Sequence, residues 1–287
     1  MAGTGSFEES PQSGDPQVDV EALFAEYAGR VLVFTHRMLG NWADAEDVTQ
    51  ESFLKAYQQA QGFDGRCAPS TWLFAIARNT CLDRLRIRRS RSFDSLETLV
   101  REANRQHTER RLPGGDAETE AQWGWYVEAV REGCLLATLS CLTVDQRGAF
   151  VLRVLCDLSV KDTAVVLDRS NNAVRVLASR AKARLKAFLC RNCSLYNPDN
   201  PCRCQNLVGF SLARGWISAE DRRIPRGQAV EASRQAAIAI EAATRLSDIY
   251  RSLDVPELGP DLAARFAAAL DQLAAVPDPT RAERPWT

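Results

Sequence analysis

The sequence predicts an all-α protein: two small helical domains, an N-terminal bundle and a C-terminal helix-turn-helix domain, joined by a flexible linker and followed by a helical C-terminal extension. Three observations predict this. Apolar residues recur at three- and four-residue spacing along most of the 287-residue chain, which is the spacing of one helix face. Capping signals stand in front of several of these stretches. No convincing alternating run of strand type occurs.

Residues 1–19, rich in Ser, Gly, Pro and acids, are expected to be disordered. Phe24, Tyr27, Val31, Phe34 and Met38 then share a helix face, and Gly40-Asn41 ends it. Asp44 is expected to cap a second helix with Ala45, Val48, Phe53 and Ala56 inward. After a loop at 62–69, Ser70 opens a third helix carrying Leu73, Ile76, Ala77, Cys81 and Leu85. These helices make the first domain, 20–91. Residues 92–121 are polar and contain Pro113-Gly114-Gly115, so they read as a linker with room for a short helix.

The second domain spans 122–189. Thr143 and Gln146 form a capping box, in which each side chain satisfies the other residue's open backbone donor. Ser159 and Ser170 offer caps to two further helices. The short one, Val160–Leu167, ends at Asp168-Arg169, and the longer one starts after Ser170, the proportions of a helix-turn-helix. In the longer helix Val174, Leu177 and Leu185 turn inward beside Ala178 and Ala181. Arg175, Ser179, Arg180, Lys182, Arg184 and Lys186 are left facing out. A major groove admits one such helix, and arginines there pair with guanine edges or phosphates. A basic surface helix of an ordinary bundle is the competing reading.

The formal net charge of -1 conceals segregation. Residues 78–91 hold six arginines and one acid, and residues 169–191 hold seven basic residues and no acid. Residues 38–54 hold four acids and no Lys or Arg. Basic clusters on a nearly neutral chain point to a polyanionic partner. No apolar run is long enough to span a membrane, and residues 1–20 carry no leader-like apolar stretch, so no membrane insertion and a cytoplasmic setting are expected. There the nine cysteines should be mostly reduced.

The extension, 190–287, opens with a Cys- and Pro-rich knot at 190–204, and two amphipathic helices are expected over 228–253 and 260–275. Cys190, Cys193, Cys202 and Cys204 place four thiols within fifteen residues, a set suited to tetrahedral zinc. Soft ligands of this kind also admit copper(I) or an iron–sulfur centre, and merely reduced or redox-active thiols are the alternative. The remaining five cysteines read as core.

Asp44-Ala45-Glu46-Asp47-Val48-Thr49-Gln50-Glu51-Ser52-Phe53-Leu54-Lys55-Ala56-Tyr57 resembles the DAEDxxQExFxxAY/W helix of extracytoplasmic-function (ECF) sigma factors. Ser70-Thr71-Trp72-Leu73-Phe74-Ala75-Ile76-Ala77-Arg78-Asn79-Thr80, with Leu82-Asp83-Arg84-Leu85-Arg86 after it, is similar to the promoter-melting helix of that family. Residues 158–186 resemble its −35-reading helix-turn-helix. The resemblance implies a non-enzymatic subunit that binds core RNA polymerase and promoter DNA and needs no cofactor, with an anti-sigma factor left open. It implies polymerase docking by Asp44, Glu46, Asp47, Gln50 and Glu51. It implies −10 and melting contacts from Asp64, Arg66, Trp72, Phe74, Arg78, Asn79, Arg84, Arg86 and Arg88, with Asp64 and Arg66 beside a flipped-out base. It implies −35 contacts from Ser170, Asn171, Asn172, Arg175, Ser179, Arg180, Lys182 and Arg184. The chemistry agrees, because single strands are held by stacking on aromatics and by arginines along the phosphates; core packing competes for Trp72 and Phe74. The chain departs from the family at Cys141-Leu142-Thr143, where Leu-Pro is usual, and at Val176, where small polar residues are frequent; the turn carries Asn171-Asn172 in place of glycine.

Two rivals stand. A stand-alone, metal- or redox-responsive helix-turn-helix regulator leaves the acidic helix and the Trp72–Arg89 stretch without a role. An enzyme has little to work with: the two histidines, His36 and His107, stand in no metal or nucleophile pattern, and no Gly-rich phosphate loop occurs.

Overall fold

The computed structural model describes residues 18–86, 92–105, 117–217, 246–253 and 260–275. Among them there is no strand. The only extended pairing is an isolated bridge between Cys193 and Cys202.

The first half is a three-helix bundle. α1 (Val20–Leu39) starts at Asp19, whose carboxylate accepts from the Ala22 amide at 2.9 Å. It stops at Gly40, where φ is 82°, a left-handed conformation that glycine adopts without strain. α2 (Trp42–Gln59) is capped by Asn41, not by Asp44 as the sequence suggests. The Asn41 side-chain oxygen accepts from the Asp44 amide at 2.8 Å, and its Nδ2 donates to the Asp44 carboxylate at 2.6 Å. Asp44 sits one turn in, where a carboxylate still meets the positive end of the helix dipole. α3 (Pro69–Leu85) begins one residue before Ser70, with Pro69 in the first turn where its missing N–H costs nothing. Phe34 and Phe74 meet edge to face at 5.7 Å in the centre of the bundle.

The second half opens on the short helix for which the linker leaves room. Residues 93–105, expected within a linker, form α4 (Phe93–Arg105). Leu96, Val100 and Ala103, spaced along one stripe, are buried there. α5 (Ala117–Ser140) and α6 (Val144–Phe150) follow, and the Thr143–Gln146 capping box is present. α6 widens into a π turn (Val151–Leu155), then α7 (Val160–Leu167) and α8 (Asn171–Asn192) form the helix-turn-helix. α9 (Cys204–Ala213) packs on α5. α10 (Leu246–Arg251) inserts Tyr250 fully into the core, with its hydroxyl 2.5 Å from that of Thr138. Of the helix expected over 228–253 only α10 falls among the described residues, whereas α11 (Pro260–Ala275) matches its expected bounds.

The halves are in contact. α3 lies against α7, and α1 touches α5, α6 and the π turn. Arg30 of α1 donates to the Cys156 carbonyl at 2.6 Å, and Arg251 of α10 donates to that of Val154 at 2.9 and 2.7 Å. Both meet carbonyls that the end of the π turn leaves open. The two halves therefore share a seam.

Candidate nucleic-acid interface

The helix-turn-helix is built by local chemistry. Ser159 caps α7 by accepting from the Asp162 amide at 3.0 Å, and Ser170 caps α8 by accepting from the Ala173 amide at 3.2 Å. The left-handed residue of the turn is Asp168, with φ 52°. Aspartate tolerates that conformation better than most side chains. This explains how the turn forms without glycine, and why Asn171 and Asn172 are free to sit inside the first turn of α8.

α8 divides as its spacing predicts. Val174, Ala181 and Leu185 are buried, and Arg175, Ser179, Arg180, Lys182, Arg184 and Lys186 are exposed. Ser170, Asn171 and Asn172 are exposed at its N-terminal end, the end that enters a groove in such motifs. Arg184 is the member most tied to the protein: it donates to Gln146 at 3.1 Å and stands over the Phe93 ring at 5.2 Å. Val176 stays exposed among the basic residues.

The −10 candidates divide. Asn79, Arg84 and Arg86 are exposed, and Arg86 pairs with Asp83 at 3.1 Å. Arg78 is mostly covered, lying 3.7 Å from Asp145 of α6. Trp72 is half-buried against Phe63, with ring centroids 5.3 Å apart. Phe74 is 1% exposed and belongs to the core, so the expected stacking role for it does not hold. Thr71 and Leu73 are buried as well, because α1, α2 and α7 cover α3 from more than one side. Arg88 lies outside the described residues. In the loop, Asp64 and Arg66 are exposed and paired at 2.5 Å. The Arg66 amide and guanidinium hold the Asp64 carboxyl below its ordinary pKa.

The acidic residues lie along α2. Glu51 pairs with Lys55 one turn on at 2.7 Å. Asp47 pairs with Arg265 of α11 at 3.0 Å, and Gln50 Nε2 donates to the Arg265 carbonyl at 3.2 Å. Asp44 and Glu46 are half-buried.

The cysteines gather differently from the expected set. α8 runs on to Asn192, which leaves Cys190 exposed on its last turn while Cys193 turns inward at the cap. Asn200 folds the intervening turn by donating to the carbonyls of Cys190 at 2.9 Å and Cys193 at 3.1 Å. The residue that joins Cys193, Cys202 and Cys204 is Cys134 of α5. Its thiol is pushed well above the ordinary range, first by burial and then by those three sulfurs. Burial also raises Cys202, to about 11, and Cys204. Among the described residues no group of three or more His, Cys, Asp or Glu is arranged to hold a metal ion.

Residues 23–91 match the family model described as Sigma-70 region 2, and residues 132–185 match that described as Sigma-70, region 4. The RNA polymerase sigma-H factor of Pseudomonas aeruginosa is 30% identical over 181 residues, which cover 63% of this chain and 91% of that protein. The ECF RNA polymerase sigma factor SigM of Mycobacterium tuberculosis is 31% identical, over 60% of this chain and 84% of its own.

The chain belongs to the ECF sigma factors.

SigG of Mycobacterium tuberculosis is 31% identical over 68% of this chain, and the chain spans about half of that relative's length, 55%. A chain in the co-crystal structure of the sigma factor RpoE with the anti-sigma factor NepR from Bartonella quintana aligns over 59% of this one at 20% identity and a TM-score of 0.40. That likeness is too loose to bear on how the halves of this sigma factor are arranged. Both family matches end before the cysteines of the extension, so α9, α10 and α11 lie beyond the two sigma regions. No described helix is long and apolar enough to cross a membrane.

Proposed function

We propose that the chain is a specificity subunit of RNA polymerase that acts in the cytoplasm, at the nucleoid, and works by binding, without catalytic chemistry of its own. In this reading α2 docks on polymerase through Asp44, Glu46, Asp47, Gln50 and Glu51. α3 and the arginines after it hold the opened −10 strand, with Trp72 as the base-stacking aromatic and Asp64 and Arg66 at the loop. α8 reads the −35 element with Arg175, Ser179, Arg180 and Lys182.

The observation that carries the reading is α8 itself. A Ser-capped second helix of a helix-turn-helix buries Val174, Ala181 and Leu185 and exposes a face rich in Arg and Lys with no acid on it. Such a face meets phosphates and guanine edges, and nothing in a bundle core requires it. Region 2 alongside region 4 favours a polymerase subunit over a stand-alone regulator, which has no use for α2 and α3. In the arrangement described, Thr71 of α3 donates to Asp162 of α7 at 3.2 Å. The −10 and −35 elements are separated along the duplex, so the α3–α7 seam has to open for both to be engaged. An anti-sigma factor is a further partner compatible with this role.

Run-off transcription with purified core polymerase and genomic fragments tests the proposal. Discrete transcripts that depend on the added chain are expected. A chain with no affinity for core polymerase overturns it.

A further inference from the structure

Part of the acidic face of α2 is covered by the chain's own extension. α11 lies along α2 and reaches α1 at Phe24, and its contact is specific at three side chains. Leu262 and Phe266, one helical turn apart, are each 4% exposed. Phe266 stacks flat on Phe24, with centroids 4.3 Å apart and planes within 8°, and meets Phe53 at 5.8 Å. Phe24 and Phe53 themselves touch edge to face at 4.9 Å, so Phe266 completes a three-ring cluster. Arg265, between the two apolar residues, engages both Asp47 and Gln50. The far side of α11, with Ala263, Ala264, Ala267 and Ala268, is exposed.

The sequence of α11 suits a helix that comes and goes. Alanine and leucine favour the helical state without a large buried surface. The apolar stripe is narrow, and the Arg265–Asp47 pair is about half exposed on both sides, so it is screened by salt and weak in free solution. Attachment to the same chain supplies the high effective concentration that keeps such a contact formed. A separate protein contacting Asp47 and Gln50 would have to displace α11.

We propose that α11 is a built-in competitor of RNA polymerase for the α2 surface: seated, it covers Asp47, Gln50 and the adjoining aromatic pair, and displaced, it exposes them. This rests on the reading of α2 as the polymerase-docking helix. The occupant is fixed by the chain itself, and the partner it excludes must carry a basic or hydrogen-bonding group that takes the place of Arg265.

The test is the affinity of the full-length chain for purified core RNA polymerase, measured by fluorescence anisotropy for the unaltered protein, Phe266→Ala and Arg265→Glu. Both variants are expected to bind about tenfold tighter, since each weakens an intramolecular contact that polymerase otherwise has to displace. Arg265→Glu alters a half-exposed side chain and places a carboxylate against Asp47, so it reports on the contact even if Phe266→Ala disturbs folding. A synthetic peptide of residues 258–276 is expected to weaken polymerase binding by Phe266→Ala. Equal or lower affinity of both variants overturns the competitor while leaving polymerase docking in place. Absence of binding by all three chains overturns the docking assignment, and the competitor with it.

Discussion

The guanidinium of Arg147 donates to the carbonyl of Met38, 109 positions earlier, and so ties the end of α1 to the start of α6. The same side chain donates to the carbonyls of Leu139 at 3.0 Å and Ser140 at 3.1 Å at the end of α5, where that of Leu139 also accepts from the Leu142 amide at 3.1 Å. Burial lowers its pKa to about 10, which still leaves it charged at neutral pH. Arg147→Leu removes every one of these donors and takes from the carbonyls of Met38 and Ser140 a charged partner, while that of Leu139 keeps the Leu142 amide. The expected loss is about 3 kcal/mol or more, because hydrogen bonds to a charged group are stronger than neutral ones and unpaired buried acceptors add their own cost. Urea unfolding of the two proteins measures it; a loss below about 1 kcal/mol would mean that the two helix ends are held by other contacts.

A second seam residue, His36, whose Nδ1 lies 3.8 Å from the Glu132 carboxylate of α5, makes stability depend on pH. His36 is 1% exposed, stacks on Trp42 at 3.5 Å and hydrogen-bonds Arg37 at 3.1 Å. Burial, then the Arg37 charge, lower its pKa from 6.5 to about 2. The unfolded chain therefore takes up a proton below pH about 6.5 that the folded chain refuses. Stability contributed by neutral His36 is complete above that pH and declines as pH falls toward 2, by up to about 1.4 kcal/mol per unit. Unfolding midpoints at pH 7.5 and 5.5 should differ in that direction. His36→Phe, which keeps a ring against Trp42 and cannot titrate, should have the smaller difference. An equal slope in both proteins would place the titrating group elsewhere.

What the sequence discloses, and what it hides, follows from the range of the interactions. The caps at Thr143, Ser159 and Ser170 were legible because a side chain and an amide three residues later settle them. The exposed face of α8 was legible from period alone. Asp44 was read as the cap of α2, and Asn41 only as part of the preceding break; the extended backbone at Asn41 puts the cap three residues earlier. Phe74 was misassigned because α3 is buried on more than one side, so spacing does not rank its aromatics. α4 was legible only as room for a short helix, because its apolar stripe sits in a polar segment and needs α9 and α5 to bury it. Cys134 beside the later cysteines, and Arg265 beside Gln50 across 215 positions, are purely tertiary facts that no local pattern carries.

The thiols should separate by reactivity. Alkylation requires thiolate and access. Burial raises the thiols of Cys134, Cys193, Cys202 and Cys204, whereas Cys190 is exposed at the end of α8. Brief iodoacetamide treatment of the native protein at pH 8, followed by peptide mass spectrometry, should mark Cys190 first. The other four should be marked only in denaturant. Added zinc is expected to leave the labelling of Cys190 unchanged, because Cys190 is exposed on the last turn of α8 while burial raises the other four thiols. Zinc protection of Cys190 would restore the ligand set that the sequence spacing suggests.

Charge reversal on α8 separates DNA reading from polymerase binding. Arg175 and Arg180 are both exposed, and neither side chain supports the buried face of Val174, Ala181 and Leu185. Arg175→Glu with Arg180→Glu should therefore fold as the parent does. Each substitution removes a cation that meets phosphate or guanine and adds a repulsive charge, so promoter-fragment affinity should fall by about a hundredfold or more at low salt. The salt dependence of the residual binding should be shallower, since fewer counterions are released. Affinity for core polymerase should be unchanged, because α2 carries that contact and its acidic face is untouched. Gel-shift titrations at two salt concentrations and a polymerase pull-down read the two effects independently. Undiminished promoter selection by the double variant would move −35 reading off α8.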